Sequence, residues 1–173
     1  VVTVVIPFAG PGGKTRLHES AEVRDALAEA MFEDVLAACR PVGPTKVADQ
    51  PGGQGEAVAA ALEGVGGPVV IVNADLPCAV PADIRLLAET APALVAAADG
   101  TTNALSLSSA GDFAPLYGAG SAERFHEHCG AVSMALPNLS DDVDTMDDLA
   151  RLQLRVGPRT LAALARLQRE GLA

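Results

Sequence analysis

The apolar positions of this chain change period repeatedly, and the changes mark its elements. Val1 to Ile6 is a β-branched run that stops at Pro7 and a loop holding Gly10, Pro11, Gly12 and Gly13. A buried strand feeding a glycine-rich loop is the expectation. From Ser20 to about Cys39 the apolar residues Val23, Leu27, Ala30, Met31 and Val35 recur at helical spacing. Thr45 to Ala48 reads as a short strand, Asp49 to Gly55 as a second glycine-rich loop, and Glu56 to Val65 as an alanine-rich helix. Pro68 to Val72 is another β-branched strand, which runs into Asn73-Ala74-Asp75-Leu76-Pro77. Pro81 suits the first position of a helix through about Thr90, with Asp83 in the favourable first turn.

Further along, Leu94 to Ala98 and Ala104 to Ser108 are expected strands on either side of Asp99-Gly100-Thr101-Thr102-Asn103. Ser121 is expected to cap a helix through His128, and Ala131 to Leu136 to form a last strand. Thr145 with Asp148 three residues on predicts a capping box for a helix of about ten residues. The tail from Pro158 to Leu172 reads as helical. Alternating strands and helices without an internal repeat predict one α/β domain over residues 1–173, a three-layer α/β/α sandwich on a mostly parallel mixed sheet. In such sheets ligands sit at the carboxyl ends of strands, here the loops after Ile6, Ala48, Val72 and Ala98.

Composition narrows the function classes. The 22 acidic against 12 basic residues give a net charge of −10, which speaks against nucleic acid and anionic membrane surfaces. No apolar run approaches the ~20 residues of a membrane helix, and a cytoplasmic protein is expected. With 49% hydrophobic and 20% charged residues the chain should fold around a sizeable core. Cys39, Cys78 and Cys129 have neither disulfide nor zinc spacing and read as small buried hydrophobes. His18, His126 and His128 share no metal spacing and read as surface residues. Of the 12 basic residues only Lys14 and Lys46 are lysines, so a lysine in a suggestive place carries weight.

Gly12-Gly13-Lys14-Thr15 after a strand looks like the end of a P-loop, but the glycine required five residues before Gly13 is Phe8. The loop still offers backbone N–H groups, with Lys14 and Arg16 supplying positive charge suited to a triphosphate. Asp75 closes a strand, where a carboxylate commonly holds Mg²⁺ together with substrate phosphates, and where a plain turn residue is equally at home. Of the five aspartates between Asp141 and Asp148, most read as solvated or as favouring a helix N-terminus. Asp144, just before Thr145, is the one placed to complete a metal site with Asp75. Thr101-Thr102-Asn103 and Gly118-Ala119-Gly120-Ser121 offer small hydrogen-bonding groups and free N–H groups, or else a turn and an N-cap.

Taken in order, Pro7, Lys14-Thr15-Arg16-Leu17, Gly53-Gln54-Gly55, Ala74-Asp75-Leu76-Pro77, Thr102-Asn103-Ala104-Leu105, Phe113 to Gly118 with Gly120-Ser121, and Asp142-Val143-Asp144-Thr145 resemble the guanylyltransferases of coenzyme F420 biosynthesis. These act on phosphoenolpyruvate or 2-phospho-L-lactate and have a nucleotide-diphospho-sugar-transferase-like fold. The resemblance runs from about Val2 to Leu152. It implies a transfer of GMP from GTP to a small phospho-acid with release of pyrophosphate. It further implies Mg²⁺ held by Asp75 and Asp144, GTP met by Lys14, Arg16, Gly53 and Gly55, and the phospho-acid bound by Thr102, Gly118 and Ser121. The resemblance also implies a catalytic role for Lys14 beside the two aspartates. Two positions depart from the family pattern: Ala9 stands where a lysine is usual, and Glu56 where asparagine is common. The arginine and alanine excess reads as a high-GC coding bias, and by analogy with family members from such sources phosphoenolpyruvate is the expected acceptor. The alternatives are a related nucleotidyl- or glycosyltransferase on the same fold, or a non-catalytic nucleotide-binding module, and a homodimer is left open.

Overall fold

The computed structural model describes all residues from Val1 to Ala173. Six strands form one sheet: β1 (Thr3–Pro7), β2 (Thr45–Ala48), β3 (Val69–Val72), β4 (Ala93–Ala96), β5 (Thr102–Leu107) and β6 (Val132–Ser133). Their spatial order is β2-β1-β3-β5-β4-β6, and only β5 runs against its neighbours. Seven helices cover it: α1 (Ala21–Cys39), α2 (Gln54–Leu62), α3 (Pro81–Glu89), α4 (Ser121–Cys129), α5 (Pro137–Ser140), α6 (Met146–Leu152) and α7 (Pro158–Arg169). The expected three-layer α/β architecture with a mostly parallel mixed sheet is the one found.

The alternation of side chains along each strand separates two cores. Val4, Ile6, Val70, Val72 and Val95 face Val35, Ile84, Leu87 and Leu139 of α1, α3 and α5. Val5, Val69, Ile71, Leu94 and Leu105 face Val58 and Phe125 of α2 and α4. All four residues of β3 are buried, as expected of a strand covered on both faces. A third core, with Leu27, Met31, Val143, Leu149 and Leu164, ties α1 to α6 and α7. This last core anchors the aspartate-rich segment before α6, since Val143 is fully buried in it.

Local signals account for several boundaries. Ser20 caps α1 by accepting from Val23 N, Pro81 opens α3, and Thr145 forms the expected capping box with Asp148. Elsewhere tertiary contacts displace the expected boundaries. Ser121 is not the N-cap of α4: left-handed Gly120 takes that position, and the Ser121 hydroxyl is committed to Thr102 instead. The strand expected over Ala131 to Leu136 shrinks to Val132–Ser133, because the edge of β4 pairs with only those residues before Pro137 opens α5. Helix α6 has seven residues where about ten were expected, and α7 stops at Arg169. Cys39 and Cys78 are buried and Cys129 is half-buried, while His126 and His128 are exposed and His18 is half-buried.

Candidate active site

The parallel strands β1 and β3 end where antiparallel β5 begins, so residues 7–16, 73–77 and 99–103 converge at one edge of the sheet. The chain leaves β1 for β2 on one side and returns as β3 on the other, and a crevice forms at such a point of reversal. Into that crevice a turn of 3-10 helix over Pro11–Gly13 delivers Lys14.

Lys14 Nζ lies 2.5 Å from Asp75 Oδ2 and 2.8 Å from Asp144 Oδ1, and Arg16 Nη2 lies 2.8 Å from Asp144 Oδ2. Burial disfavours the Lys14 ammonium, but the charges of Asp75 and Asp144 and their hydrogen bonds outweigh it and raise its pKa. Lys14 is therefore cationic at neutral pH. Residues far apart in sequence, Lys14, Asp75 and Asp144, are thus brought together.

Asp142 joins them. One oxygen from each of Asp75, Asp142 and Asp144 lies within 4.8 Å of the others. Asn103 steadies this carboxylate, donating from Nδ2 to Asp142 Oδ1 at 3.3 Å and to Ser140 O at 3.1 Å. Burial and the neighbouring Asp75 charge raise the pKa of Asp142. By composition alone Asp142 falls among the solvated aspartates, yet the sequence holds a signal for it. In an extended segment, residues two apart share a face, so a buried Val143 turns Asp142 and Asp144 the same way.

These residues fit a hard divalent cation. Mg²⁺ takes oxygen ligands at about 2.1 Å in an octahedron, which sets opposite ligands about 4.2 Å apart. The observed spread is within a small side-chain adjustment of that value. Asp75 Oδ1 is moreover buried without a hydrogen-bond partner, an acceptor left for an additional donor or ion.

Two cavities meet at this point. The larger, about 430 Å³, lies between the β1 loop and residues 50–54 and is lined by Phe8, Ala9, Gly53 and Lys14 among others. The smaller, about 200 Å³, is strongly polar and is lined by Thr102, Asn103, Gly118, Ser121, Asp142 and Asp144. Gln54, Asn73 and Asp75 border both. Gln54 Nε2 donates to Asn73 Oδ1 at 2.7 Å, and Asn73 Nδ2 donates to Thr102 O at 3.0 Å, which makes this amide pair a partition between the cavities. In the smaller cavity the buried hydroxyls of Thr102 and Ser121 are 2.8 Å apart.

The remaining sequence candidates are placed as follows. Gly53 faces the larger cavity with φ +105°, a conformation that favours glycine. Gly55 is buried in the first turn of α2, where a Cβ would come within 2.7 Å of Pro115 Cβ, so its role there is packing. Arg16 is exposed and reaches the site only through Asp144. Ala9 lines the larger cavity, which leaves Lys14 as its single basic side chain. Glu56 is exposed on α2 and outside both cavities.

No protein-family model matches the chain. A putative nucleotide-diphospho-sugar transferase from Desulfovibrio desulfuricans G20 superposes with a TM-score of 0.72 at 17% identity, covering 97% of this chain and 95% of its own. A nucleotidyl transferase from Methanothermobacter superposes at 0.55 and 16% identity over 89% of this chain and 95% of its own, and both establish the fold. In sequence, the phosphoenolpyruvate guanylyltransferase of Streptomyces scabiei is 35% identical over an alignment of 209 positions, gaps included, that covers 95% of this chain and 96% of that protein. The 2-phospho-L-lactate guanylyltransferase of Haloferax volcanii is 41% identical over an alignment of 120 positions, gaps included, that covers 59% of this chain and 58% of that protein. With the aspartate triad, the lysine and the paired cavities in place, the chain belongs to the phosphoenolpyruvate and 2-phospho-L-lactate guanylyltransferase family.

Proposed function

We propose that this nucleotidyltransferase joins GMP from GTP to the phosphate of a three-carbon phospho-acid, phosphoenolpyruvate before 2-phospho-L-lactate, as a step of coenzyme F420 biosynthesis. The observation that carries the reading is the meeting of a nucleotide-sized and a small polar cavity at one carboxylate cluster. The larger cavity suits GTP and the smaller suits the phospho-acid. An oxygen of the acceptor phosphate attacks the α-phosphorus of GTP, the bond from that phosphorus to the bridging oxygen breaks, and pyrophosphate leaves.

Such a transfer needs positioning and charge neutralisation more than a covalent catalyst. Lys14 supplies a positive charge to the wall of the larger cavity, beside Asp75, which borders both. Gly53 and the loop after β1 meet the nucleotide phosphates, and Thr102, Gly118 and Ser121 hold the phospho-acid. Asp75, Asp142 and Asp144 would hold Mg²⁺, which when bound neutralises phosphate charge. Arg16, paired with Asp144, keeps that carboxylate turned toward the cluster.

Pyrophosphate release with GTP or ATP, Mg²⁺ and each of phosphoenolpyruvate, 2-phospho-L-lactate and 3-phosphoglycerate tests this reading. Release is expected with GTP and one of the first two acceptors, and should fall by orders of magnitude in Asp75→Asn and Asp144→Asn. GTP binding without release from any acceptor overturns the enzyme reading and favours the nucleotide-binding module that Ala9 brings to mind.

A further inference from the structure

Beside the smaller cavity, the segment 116–120 is held by one side chain that lines neither cavity. Arg124, in the second turn of α4, donates from Nε and Nη2 to Leu116 O at 3.1 and 2.8 Å, from Nη2 to Tyr117 O at 3.1 Å, and from Nη1 to Ala119 O at 2.6 Å. Gly118 and Gly120 have φ of +108° and +73°, and a Cβ on either would point at the guanidinium, 3.8 and 3.5 Å from its nitrogens. The loop is thus wrapped around a planar cation.

This has a consequence on the opposite side of the loop. In a trans peptide the C=O and N–H point in opposite directions. Fixing the carbonyls of Leu116, Tyr117 and Ala119 on the guanidinium therefore fixes the N–H groups of Tyr117, Gly118 and Gly120 away from it. None of these N–H groups donates to a backbone acceptor, and of the three residues Tyr117 and Gly118 form part of the cavity wall. Successive N–H groups in left-handed turns suit an anion.

We propose that Arg124 is a positioning residue for the acceptor: by holding three carbonyls it aims the N–H groups of Tyr117, Gly118 and Gly120 at the anionic end of the phospho-acid. The inference rests on the reading of the smaller cavity as the acceptor site. Arg124 acts on acceptor affinity without touching acceptor, nucleotide or carboxylate cluster. Lysine at this position keeps the charge but cannot span three carbonyls with a planar fork of donors.

Steady-state kinetics of the full chain, varying phosphoenolpyruvate and GTP separately, test it in Arg124→Lys and Arg124→Gln, with Ser121→Ala alongside. The expected result is a KM for phosphoenolpyruvate raised about tenfold or more in both Arg124 variants, with the KM for GTP unchanged. A fall in kcat with both KM values unchanged is the signature of a smaller folded fraction, and it overturns the proposal. If Ser121→Ala raises the KM for phosphoenolpyruvate and the Arg124 variants do not, the acceptor site stands and the role of Arg124 falls. If none of the three moves it, the acceptor reading of the cavity fails first, and the proposal with it.

Discussion

The Lys14 ammonium spans two carboxylates, 2.5 Å from Asp75 Oδ2 and 2.8 Å from Asp144 Oδ1, and so occupies oxygens that a divalent ion would also claim. Without nucleotide the two cations would compete, and a bound triphosphate would give Lys14 an alternative partner. Lys14→Met should therefore bind Mn²⁺ about tenfold more tightly than the parent in nucleotide-free protein, while kcat/KM with GTP falls about a hundredfold. Paramagnetic resonance of free Mn²⁺ reads the first quantity. Equal affinities would mean that the ammonium does not compete.

Asp142 carries the opposite cost. Its pKa is raised by burial and by Asp75, so the fold favours the neutral carboxyl. The sign follows: this group's contribution to stability is fully present below the unfolded value of about 3.9 and is lost as pH rises through the raised folded value. Asp142→Asn should then melt above the parent at pH 7 without divalent ions, and the gap should close toward pH 3 to 4. The same variant should lose most transferase activity. Thermal melts across that range check it, and a lower melting temperature at pH 7 would contradict the assignment.

Asp34 serves stability alone. Its buried carboxylate accepts from Arg159 N at 3.1 Å and Thr160 N at 2.8 Å, capping α7 from a neighbouring helix, and a Cβ at Gly157 would overlap it. Asp34→Ala should cost about 1–3 kcal/mol, since it leaves two N–H groups at a helix start without their acceptor. For a chain of this size each kcal/mol lowers Tm by about 2–4 °C. Both KM values should stay at the parent level below the transition.

Burial pushes the Cys39 thiol up to about 12, while Cys129 is half-buried with its sulfur on Phe125 O. The Cys39 contribution to stability is held below the ordinary thiol value of about 8.5 and lost as pH rises through about 12. Iodoacetamide on the native protein at pH 8 should thus modify Cys129 and spare Cys39, as peptide mass analysis would show. Equal labelling of the two would place Cys39 outside the core.

What the sequence revealed depended on how local the deciding interaction is. Ser20, Pro81 and Thr145 act within one helical turn, and each boundary they mark was legible. Ser121 has the chemistry of an N-cap, but its partner Thr102 lies on β5, and only the folded chain reveals that pairing. The strand expected from Ala131 failed for a similar reason, as its length is set by the edge of β4. In the site, Asp75 and Asp144 were legible from their places in the loops. Asp142 was hidden by its acidic neighbours, although the buried Val143 between the two aspartates gave its direction. Arg124 was illegible, because it is recognised only by the carbonyls it gathers.

The amide pair of Gln54 and Asn73 stands between the two cavities, and each substrate would lie against one side of it. The product of a transfer across that wall inherits the contacts of both halves in a single molecule. It can depart only when both cavities release it together, so its escape should be slower than the loss of either starting compound. Rapid mixing should then show a burst of pyrophosphate in the first turnover, followed by a slower steady rate. Shortening the wall with Gln54→Ala should shrink that burst, and an undiminished burst would show that the amide pair does not set the rate of release.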